Sequence, residues 1–180
     1  MMGGRSLALG SCLALLLSGA PTRAAAAPSE STVKAAFLPR FARYVTWPPA
    51  VRPGASDPVV LCTIGRDPFG PILEQAVRSQ GVDGHRIVVR RLTNANGTRG
   101  CHLAYVAGGP DQPTGQLLAA LQRQPVLTIT DARSGPQRGM IHFAMVSGRV
   151  RFFIDEAAAA ERGISISSRL LGLAVAVRAR

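Results

Sequence analysis

Residues 58–77, PVVLCTIGRDPFGPILEQAV, contain the pattern that decides the fold. A continuous apolar run of strand length ends at Gly65 and is followed by Asp67 and Pro68, which are typical of a helix start. The predicted helix continues through Val77. An apolar strand that leads directly into a helix is typical of a parallel sheet covered by helices on both faces.

A first helix is predicted before this segment. The sequence STVKAAFLPRFARYVTWP has apolar residues at a spacing of three to four, which indicates an amphipathic helix. Ser31 or Thr32 can cap it, Pro39 should kink or split it, and Pro48 and Pro49 should end it.

The alternation of strands and helices continues after the segment. HRIVVRRL, CHLAYVAG and PVLTITD predict strands, with a helix over 114–122 before the last of them. MIHFAMV and RVRFFID, joined by Ser147 and Gly148, predict a hairpin. An Ala-rich helix stops at Gly163, and ISISSRLLGLAVAVRA predicts a short extended entry into a terminal helix. The predicted fold class is α/β, with a mostly parallel central sheet, helices on both faces and an antiparallel hairpin near the C-terminal end.

The N-terminus has the features of a secretory signal peptide. Arg5 precedes an apolar run that is too short for a membrane span, and small residues at 24–27 provide a cleavage region. We predict a signal peptide over 1–27, a single domain over 28–180 and a periplasmic location. Lipid attachment at Cys12 is the alternative, but the apolar run continues past that cysteine.

The net charge of the chain limits the kinds of partner that it can bind. A formal net charge of +11 falls to +9 when Arg5 and Arg23 leave with the signal peptide. The arginines are scattered and do not form a run with interleaved aromatic residues, which argues against nucleic acid as a partner. A cation-rich surface attracts an anionic membrane or an acidic partner domain, and both alternatives stay open.

Two cysteines, Cys62 and Cys101, remain after removal of the signal peptide. An even pair in an oxidising compartment predicts a disulfide, and the alternative is two buried free thiols. A bridge that closes a loop of about 40 residues contributes about 4 kcal/mol in the chain-entropy account.

The titratable residues that a catalytic or metal site needs are spread thinly along the chain. His85, His102 and His142 have no metal-binding spacing, so we interpret them as core or surface histidines. Cys101 and His102 are neighbours on a predicted strand and point to opposite faces, so they cannot pair directly. We therefore predict that the protein is not an enzyme and has no cofactor or metal.

Two features are candidate binding elements. The GRDPFG turn joins a strand end to a helix start, where open α/β sheets place anionic ligands, although its spacing matches neither a dinucleotide fingerprint nor a P-loop. The predicted ligand-turn residues are Gly65, Arg66, Asp67, Phe69 and Gly70. Trp47, the only tryptophan, either fills the core or serves as an exposed aromatic anchor for a partner.

Six segments of the chain, in this order, resemble the YfiR family: VKAAFLPRFARYVTWP, LCTIGRDPFGPILEQAV, GHRIVVRRL, CHLAYV, GMIHFAMVSGRVRFFID and ISISSRLLGLA. The resemblance implies a periplasmic α/β protein, often dimeric, that represses an inner-membrane diguanylate cyclase by contacting its periplasmic sensor domain. It also implies that Cys62 and Cys101 form the family's disulfide. The second cysteine pair of a redox-sensitive member has no counterpart near Met140 and Phe143.

These observations lead to one functional hypothesis and one alternative. We predict a regulatory protein that binds and restrains the sensor domain of an inner-membrane diguanylate cyclase through an apolar patch rimmed by arginine, and that forms a homodimer. The alternative is a periplasmic module that binds a small anionic molecule at the GRDPFG turn.

Overall fold

The computed structural model describes residues 27–78 and 80–180, which form the following elements. The strands are β1 (Val45–Thr46), β2 (Val59–Gly65), β3 (Gly81–Val82), β4 (His85–Leu92), β5 (Leu103–Gly108), β6 (Leu127–Asp131), β7 (Ile141–Val146), β8 (Arg149–Asp155), β9 (Ser165–Ile166) and β10 (Val177–Arg178). The helices are α1 (Glu30–Ala42), α2 (Pro71–Arg78), α3 (Thr114–Leu121), α4 (Glu156–Ala160) and α5 (Ser168–Leu171). Apart from Ala27, the predicted signal peptide, with Cys12, lies outside the described residues.

An eight-stranded sheet with the order β10-β8-β7-β6-β5-β2-β4-β3 organises the fold. In the order in which they lie in the sheet, β4, β2, β5, β6 and β7 are each parallel to the next of these strands. In contrast, β8 is antiparallel to β7 and β3 is antiparallel to β4. The predicted mostly parallel sheet with an antiparallel hairpin is therefore confirmed. The chain passes from β2 to β4 on one side and then to β5 on the other side of β2, so the strand order reverses between β2 and β5.

Helices cover both faces of this sheet. Successive side chains of a strand point to opposite faces, so each strand contributes side chains to two cores. Leu61, Leu103 and Tyr105 pack in the larger core with Leu38 of α1 and Leu73 of α2. The intervening side chains belong to a second core that includes residues of α3: Cys62, Ile64, Ala104, Val106, Leu117 and Leu121.

An aromatic cluster attaches the β7–β8 hairpin to α1. Phe37 and Phe41 of α1 contact Phe143 of β7 and Phe152 of β8, with ring centroids 5.2 to 6.1 Å apart. Aromatic pairs at such separations contribute beyond the area they bury. The first helix therefore packs across the part of the sheet where the parallel strands give way to the hairpin.

The hairpin turn is the one that the sequence predicts. Ser147 and Gly148 have φ values of +49° and +72°. Positive φ at both central positions gives the tight turn whose twist matches that of antiparallel strands. The paired residues run without a break from Val146 and Arg149 to Ile141 and Ile154.

The start of α1 differs from the prediction. Ser29 caps the helix, and neither Ser31 nor Thr32 does, since the Ser29 hydroxyl accepts the Thr32 backbone N–H at 3.2 Å. Pro39 is buried inside the helix and does not split it. The side chains around Pro39, including Leu38 and Phe41 in the core, hold the helix continuous although proline donates no hydrogen bond.

The end of α1 also comes earlier than predicted. The helix stops at Ala42, before Pro48 and Pro49, because the next residues enter β1. Val45 pairs with Ile166 of β9 in a short antiparallel ladder. Tertiary pairing therefore overrides the helical spacing of the apolar residues here.

Two further boundaries correct the predictions. Pro71, and not Pro68, is the first residue of α2, and Asp67 closes the preceding turn by accepting the Phe69 N–H at 2.9 Å. The C-terminal helix is a single short element, α5, after which the chain forms β10 and pairs Val177 with Ile154. Within residues 27–78 and 80–180, no helix has the length and hydropathy of a membrane span.

Candidate functional sites

A disulfide joins Cys62 of β2 to Cys101, which precedes β5. The two Cα atoms are 5.9 Å apart, within the usual range for a bridge. Both residues are buried, and the Arg90 guanidinium lies 3.6 Å from the Cys101 sulfur. The predicted bridge is present, so it ties two neighbouring strands of the sheet, and neither sulfur is a free thiol.

Trp47 lies in the core with 4% of its surface exposed. Its indole N–H donates to the His102 carbonyl oxygen at 3.0 Å. The His102 ring accepts the Val60 backbone N–H through Nδ1 at 3.0 Å, so the ring is neutral and carries its proton on Nε2. Burial lowers the pKa of His102, which agrees with the neutral form. Trp47 therefore fills the core and presents little surface to a partner.

The other two histidines lie in different surroundings. His142 is buried and its Nδ1 is 2.9 Å from the Thr130 hydroxyl, while His85 Nδ1 is 2.8 Å from the Asp57 carbonyl oxygen. Across the ranges 27–78 and 80–180, no three His, Cys, Asp or Glu side chains are placed to hold a metal ion.

A cavity of about 400 Å³ lies at the carboxyl edge of the sheet, where the strand order reverses. This volume is in the range of small-molecule sites, and open α/β sheets bind ligands at such a reversal. The first turn of α1, the GRDPFG turn and the ends of β5 and β6 form it. Its lining includes Lys34, Arg66, Phe69, Tyr105, Asp131 and Arg133.

Some residues of the GRDPFG turn line the cavity, and others hold the turn in place. Arg66 and Phe69 line the cavity. Asp67 and Gly70 bind Arg91 instead, since Arg91 Nε is 2.6 Å from Asp67 Oδ2 and Arg91 Nη2 is 2.8 Å from the Gly70 oxygen. Gly65 ends β2 beside β5 and allows the two strands to approach.

A cluster of ion pairs forms one side of the cavity. Lys34 Nζ is 2.5 Å from Asp131 Oδ2 and also pairs with Glu30, one helical turn earlier in α1. Arg133 holds the same Glu30 carboxylate from outside, with Nε–Oε1 and Nη2–Oε2 distances of 2.7 and 2.5 Å. The Tyr105 hydroxyl donates to Asp131 Oδ2 at 3.3 Å. These contacts join α1 to the carboxyl end of β6.

The surroundings of Glu30 and Tyr105 in this cluster shift the pKa of both groups. Hydrogen bonds from Arg133 and Lys34 lower the pKa of Glu30 to about 2, so its carboxylate stays charged. Burial and the charge of Asp131 raise the pKa of Tyr105 well above its usual value, so its hydroxyl stays a donor. Within the cavity wall, Glu30 therefore accepts hydrogen bonds as a carboxylate and Tyr105 donates one as a phenol.

A second candidate site is a set of exposed apolar side chains on and beside the β7–β8 hairpin. Met145 and Val146 of β7 are 42% and 36% exposed, and Leu173 and Val175 in the segment before β10 are 59% and 47% exposed. Met145 and Val146 are consecutive strand residues and point to opposite faces of the hairpin. We call the four side chains together the hairpin surface. The Val175 N–H donates to the Phe152 oxygen at 2.9 Å, which places Leu173 and Val175 beside β8. The apolar patch expected from the sequence had no residues assigned to it, and these side chains are the candidates for it.

Arginines border the hairpin surface. Arg149 pairs with Val146 across the turn, Arg151 pairs with Ala144, and both arginines are exposed. Neither side chain forms an ion pair with another described residue. The backbone hydrogen bonds between β8 and the segment that leads into β10 begin at Phe152, so residues 149–151 have no paired strand on their outer side among the described residues.

A comparison with known families identifies the chain. It matches the YfiR/HmsC-like family over residues 31–175. The protein belongs to the YfiR/HmsC-like family. Members of this family are periplasmic, non-catalytic regulators in diguanylate cyclase signalling. No curated protein matches the chain.

The matched region of this YfiR/HmsC-like protein includes most of both candidate sites. It contains Lys34, Arg66 and Asp131 of the cavity and extends to Val175 of the hairpin surface. The suspected family is confirmed, and the disulfide that the resemblance implies is present in the structure.

The ion cluster of this YfiR/HmsC-like protein was not predicted from the sequence. Two observations could indicate it. Lys34 is the only lysine and lies in an otherwise apolar stretch of α1. Asp131 ends the apolar strand β6, and side chains at the carboxyl ends of parallel strands meet at one edge of a sheet. Only the fold shows that these two residues meet.

Proposed function

We propose that this protein regulates cyclic di-GMP signalling by binding the periplasmic sensor domain of an inner-membrane diguanylate cyclase and restraining the enzyme. The hairpin surface is the observation that supports binding most directly. Single exposed apolar side chains are common, but here four lie on one hairpin and the segment beside it, and Arg149 and Arg151 share the Val146 face of that hairpin. An apolar centre with a charged rim is the composition of a protein interface.

The unpaired arginines specify the charge of the partner. Arg149 and Arg151 lie on the same face of the hairpin as Val146, and the whole chain carries a formal net charge of +11. An acidic surface on the sensor domain would supply their counter-charges and would speed association at low ionic strength. We therefore propose that the sensor domain presents carboxylates around an apolar centre.

The backbone of β8 offers a second kind of contact. Residues 149–151 form an open strand edge within the described part of the chain. An extended segment of a partner can add to such an edge through main-chain hydrogen bonds. The arginines on this edge oppose pairing with a second copy, since charged side chains are a common protection of edge strands.

The homodimer that the resemblance implies is proposed to use another surface. A twofold interface places the same patch on both subunits. If the hairpin surface packed against itself, Arg149 and Arg151 would approach their own copies, and juxtaposed like charges are unfavourable. We therefore assign the hairpin surface to the acidic partner.

The proposal is tested by measuring cyclic di-GMP in the native host. Deletion of the gene should raise the cyclic di-GMP concentration, and the wild-type gene should lower it again. The double variant Arg149→Glu/Arg151→Glu should fail to lower it, although the periplasmic level of the protein is unchanged. Arg78→Glu/Arg86→Glu is the matched control, because it reverses the charge of two exposed arginines on α2 and β4.

Two results would overturn the proposal. Deletion that leaves the cyclic di-GMP concentration unchanged would show that the protein does not restrain a cyclase under the tested conditions of growth. Equal complementation by the two double variants would show that the hairpin surface is not where the partner binds.

A further inference from the structure

We infer that the cavity at the carboxyl edge of the sheet binds a small organic monocarboxylate, and that Arg66 recognises its carboxylate group. The cavity is formed by residues other than those of the hairpin surface. The inference therefore stands independently of the proposed cyclase partner. It assigns to this fold a ligand site in addition to a protein-binding surface.

Arg66 provides the unbalanced charge. Lys34 and Arg133 are neutralised by Glu30 and Asp131 within the cavity wall. Arg66 is exposed, lines the same cavity, and has no ion pair or side-chain hydrogen bond to any residue in 27–78 or 80–180. A guanidinium in this situation can bind a carboxylate through two parallel charge-assisted hydrogen bonds.

The remaining charges favour a ligand with a single negative charge. A monoanion on Arg66 leaves the cavity neutral. A phosphate dianion would carry an excess negative charge into a site that already contains the carboxylates of Glu30 and Asp131. Like charges at close range are unfavourable in a partly buried site, where water screens them weakly.

The walls of the cavity favour an organic body on the ligand. Pro68 and Ala107 present apolar surface next to Arg66, and the buried Phe69 lies behind them in the cavity lining. Phe69 is itself fixed, since its ring packs edge-on against Tyr105 with centroids 4.7 Å apart. Small-molecule sites combine such apolar walls with a few well-placed polar groups, and a volume of about 400 Å³ suits a small acid.

The backbone of Arg66 is held in place before a ligand binds. Its N–H donates to the Gly108 carbonyl oxygen at 2.9 Å, which fixes the turn against the end of β5. Arg91 secures the other side of the turn through Asp67 and Gly70. A preorganised site loses less conformational entropy on binding.

The cavity is also open to a second depression. A neighbouring cavity of about 670 Å³ shares Arg66, Ala107, Arg133 and Ser134 with the first. Arg66 and Arg133 therefore lie on the border between the two. Arg66 is itself exposed, so a charged molecule can reach it directly from the solvent.

The experiment uses isotope-labelled protein purified from the periplasm, so that any processing is native. Benzoate, phenylacetate and hexanoate are titrated in turn, each beside its neutral amide, and inorganic phosphate is titrated separately. Amide chemical shifts locate the binding site, and calorimetry gives the affinity. Arg66→Ala and Arg66→Gln are compared with Arg86→Ala, which removes an exposed arginine of β4 that does not line the cavity.

At least one acid should shift the backbone amides of Arg66, Phe69 and Ala107, and its neutral amide should bind about tenfold or more weakly. Both Arg66 variants should lose about tenfold or more in affinity for that acid, since a charge-assisted hydrogen bond is lost, whereas Arg86→Ala should keep it. The inference is overturned if no acid shifts these amides, if acid and amide bind alike, if the Arg66 variants keep their affinity, or if phosphate binds more tightly than every acid.

Discussion

Gly65 at the end of β2 and Gly108 at the end of β5 approach so closely that a Cβ atom on Gly65 would lie 2.4 Å from the Gly108 carbonyl oxygen. Both residues have positive φ, at +84° and +66°. Since only glycine tolerates both the contact and the conformation, this pair allows two parallel strands to end side by side. Arg66 and Ala107 thereby reach the same cavity.

Gly65→Ala should lower the free energy of unfolding by about 3 kcal/mol or more, because it adds a steric clash to the strain of a positive φ. Gly84→Ala is the matched control, because Gly84 has a φ of +85° with no atom within 4 Å of the added Cβ. It should cost about 1 kcal/mol. Urea unfolding of the two variants measures the difference, and equal costs would show that the Gly65–Gly108 contact is unimportant.

The disulfide should contribute up to about 4 kcal/mol to the free energy of unfolding, since Cys62 and Cys101 are separated by 39 residues. Urea unfolding with and without reductant should show this decrease for the wild type. The variant Cys62→Ala/Cys101→Ala should be equally destabilised and insensitive to reductant. If the wild-type midpoint does not move although mass spectrometry shows both thiols labelled, the bridge does not stabilise the fold.

Lys34→Met should lower the free energy of unfolding by about 3 to 5 kcal/mol, because it leaves the buried Asp131 carboxylate without its cation. Adding Asp131→Asn should recover part of this loss, since the uncompensated charge is then removed. A double-mutant cycle by urea unfolding measures the coupling. Additive costs would mean that the two residues do not stabilise each other.

The free energy of unfolding should decrease in two steps as the pH is lowered. Burial lowers the pKa of His102 and of His142, so the unfolded chain takes up protons below about pH 6.5 that the folded protein does not, and unfolding is favoured. Glu30 adds a second step between its ordinary value of 4.5 and its folded pKa of about 2. Urea unfolding measures the first step between about pH 8 and pH 5 and the second from about pH 5 down to about pH 2.

His102→Asn provides the control for the first step. The asparagine amide oxygen can accept the Val60 N–H that the His102 ring accepts in the wild type, but it does not titrate. The loss of stability between about pH 7 and pH 5 should therefore be smaller in this variant. An unchanged pH dependence would assign the first step to other groups.

The central sheet could be predicted from the sequence because its strands are locally encoded. β2 and β6 are continuous apolar runs, and turn residues such as Ser147 and Gly148 bound the later strands. The ends of the elements could not be predicted where distant pairing decides them. Val45 leaves the helical pattern to pair with Ile166, and Val177 lies in a strand beside β8 where the sequence predicts a helix.

The candidate sites also combine locally encoded features with features that depend on residues distant in the sequence. The GRDPFG turn could be located because strand-to-helix turns of α/β sheets are binding positions, and Arg66 and Phe69 do line the cavity. The ion cluster could not, because Lys34 and Asp131 are 97 residues apart and meet only when α1 packs on the sheet. The hairpin surface could not be located either, because the sequence does not show which apolar side chains remain exposed after the helices and strands pack.

The most direct test of the central claim is site-specific photo-crosslinking in the native host. A photoreactive residue at position 173, where Leu173 is 59% exposed, is compared with one at position 86 on β4. Position 173 should capture an inner-membrane protein that has a periplasmic sensor domain and a diguanylate cyclase domain, while position 86 should not. Capture of only the protein's own copies from position 173, or equal capture from both positions, would contradict the assignment of the hairpin surface to a cyclase partner.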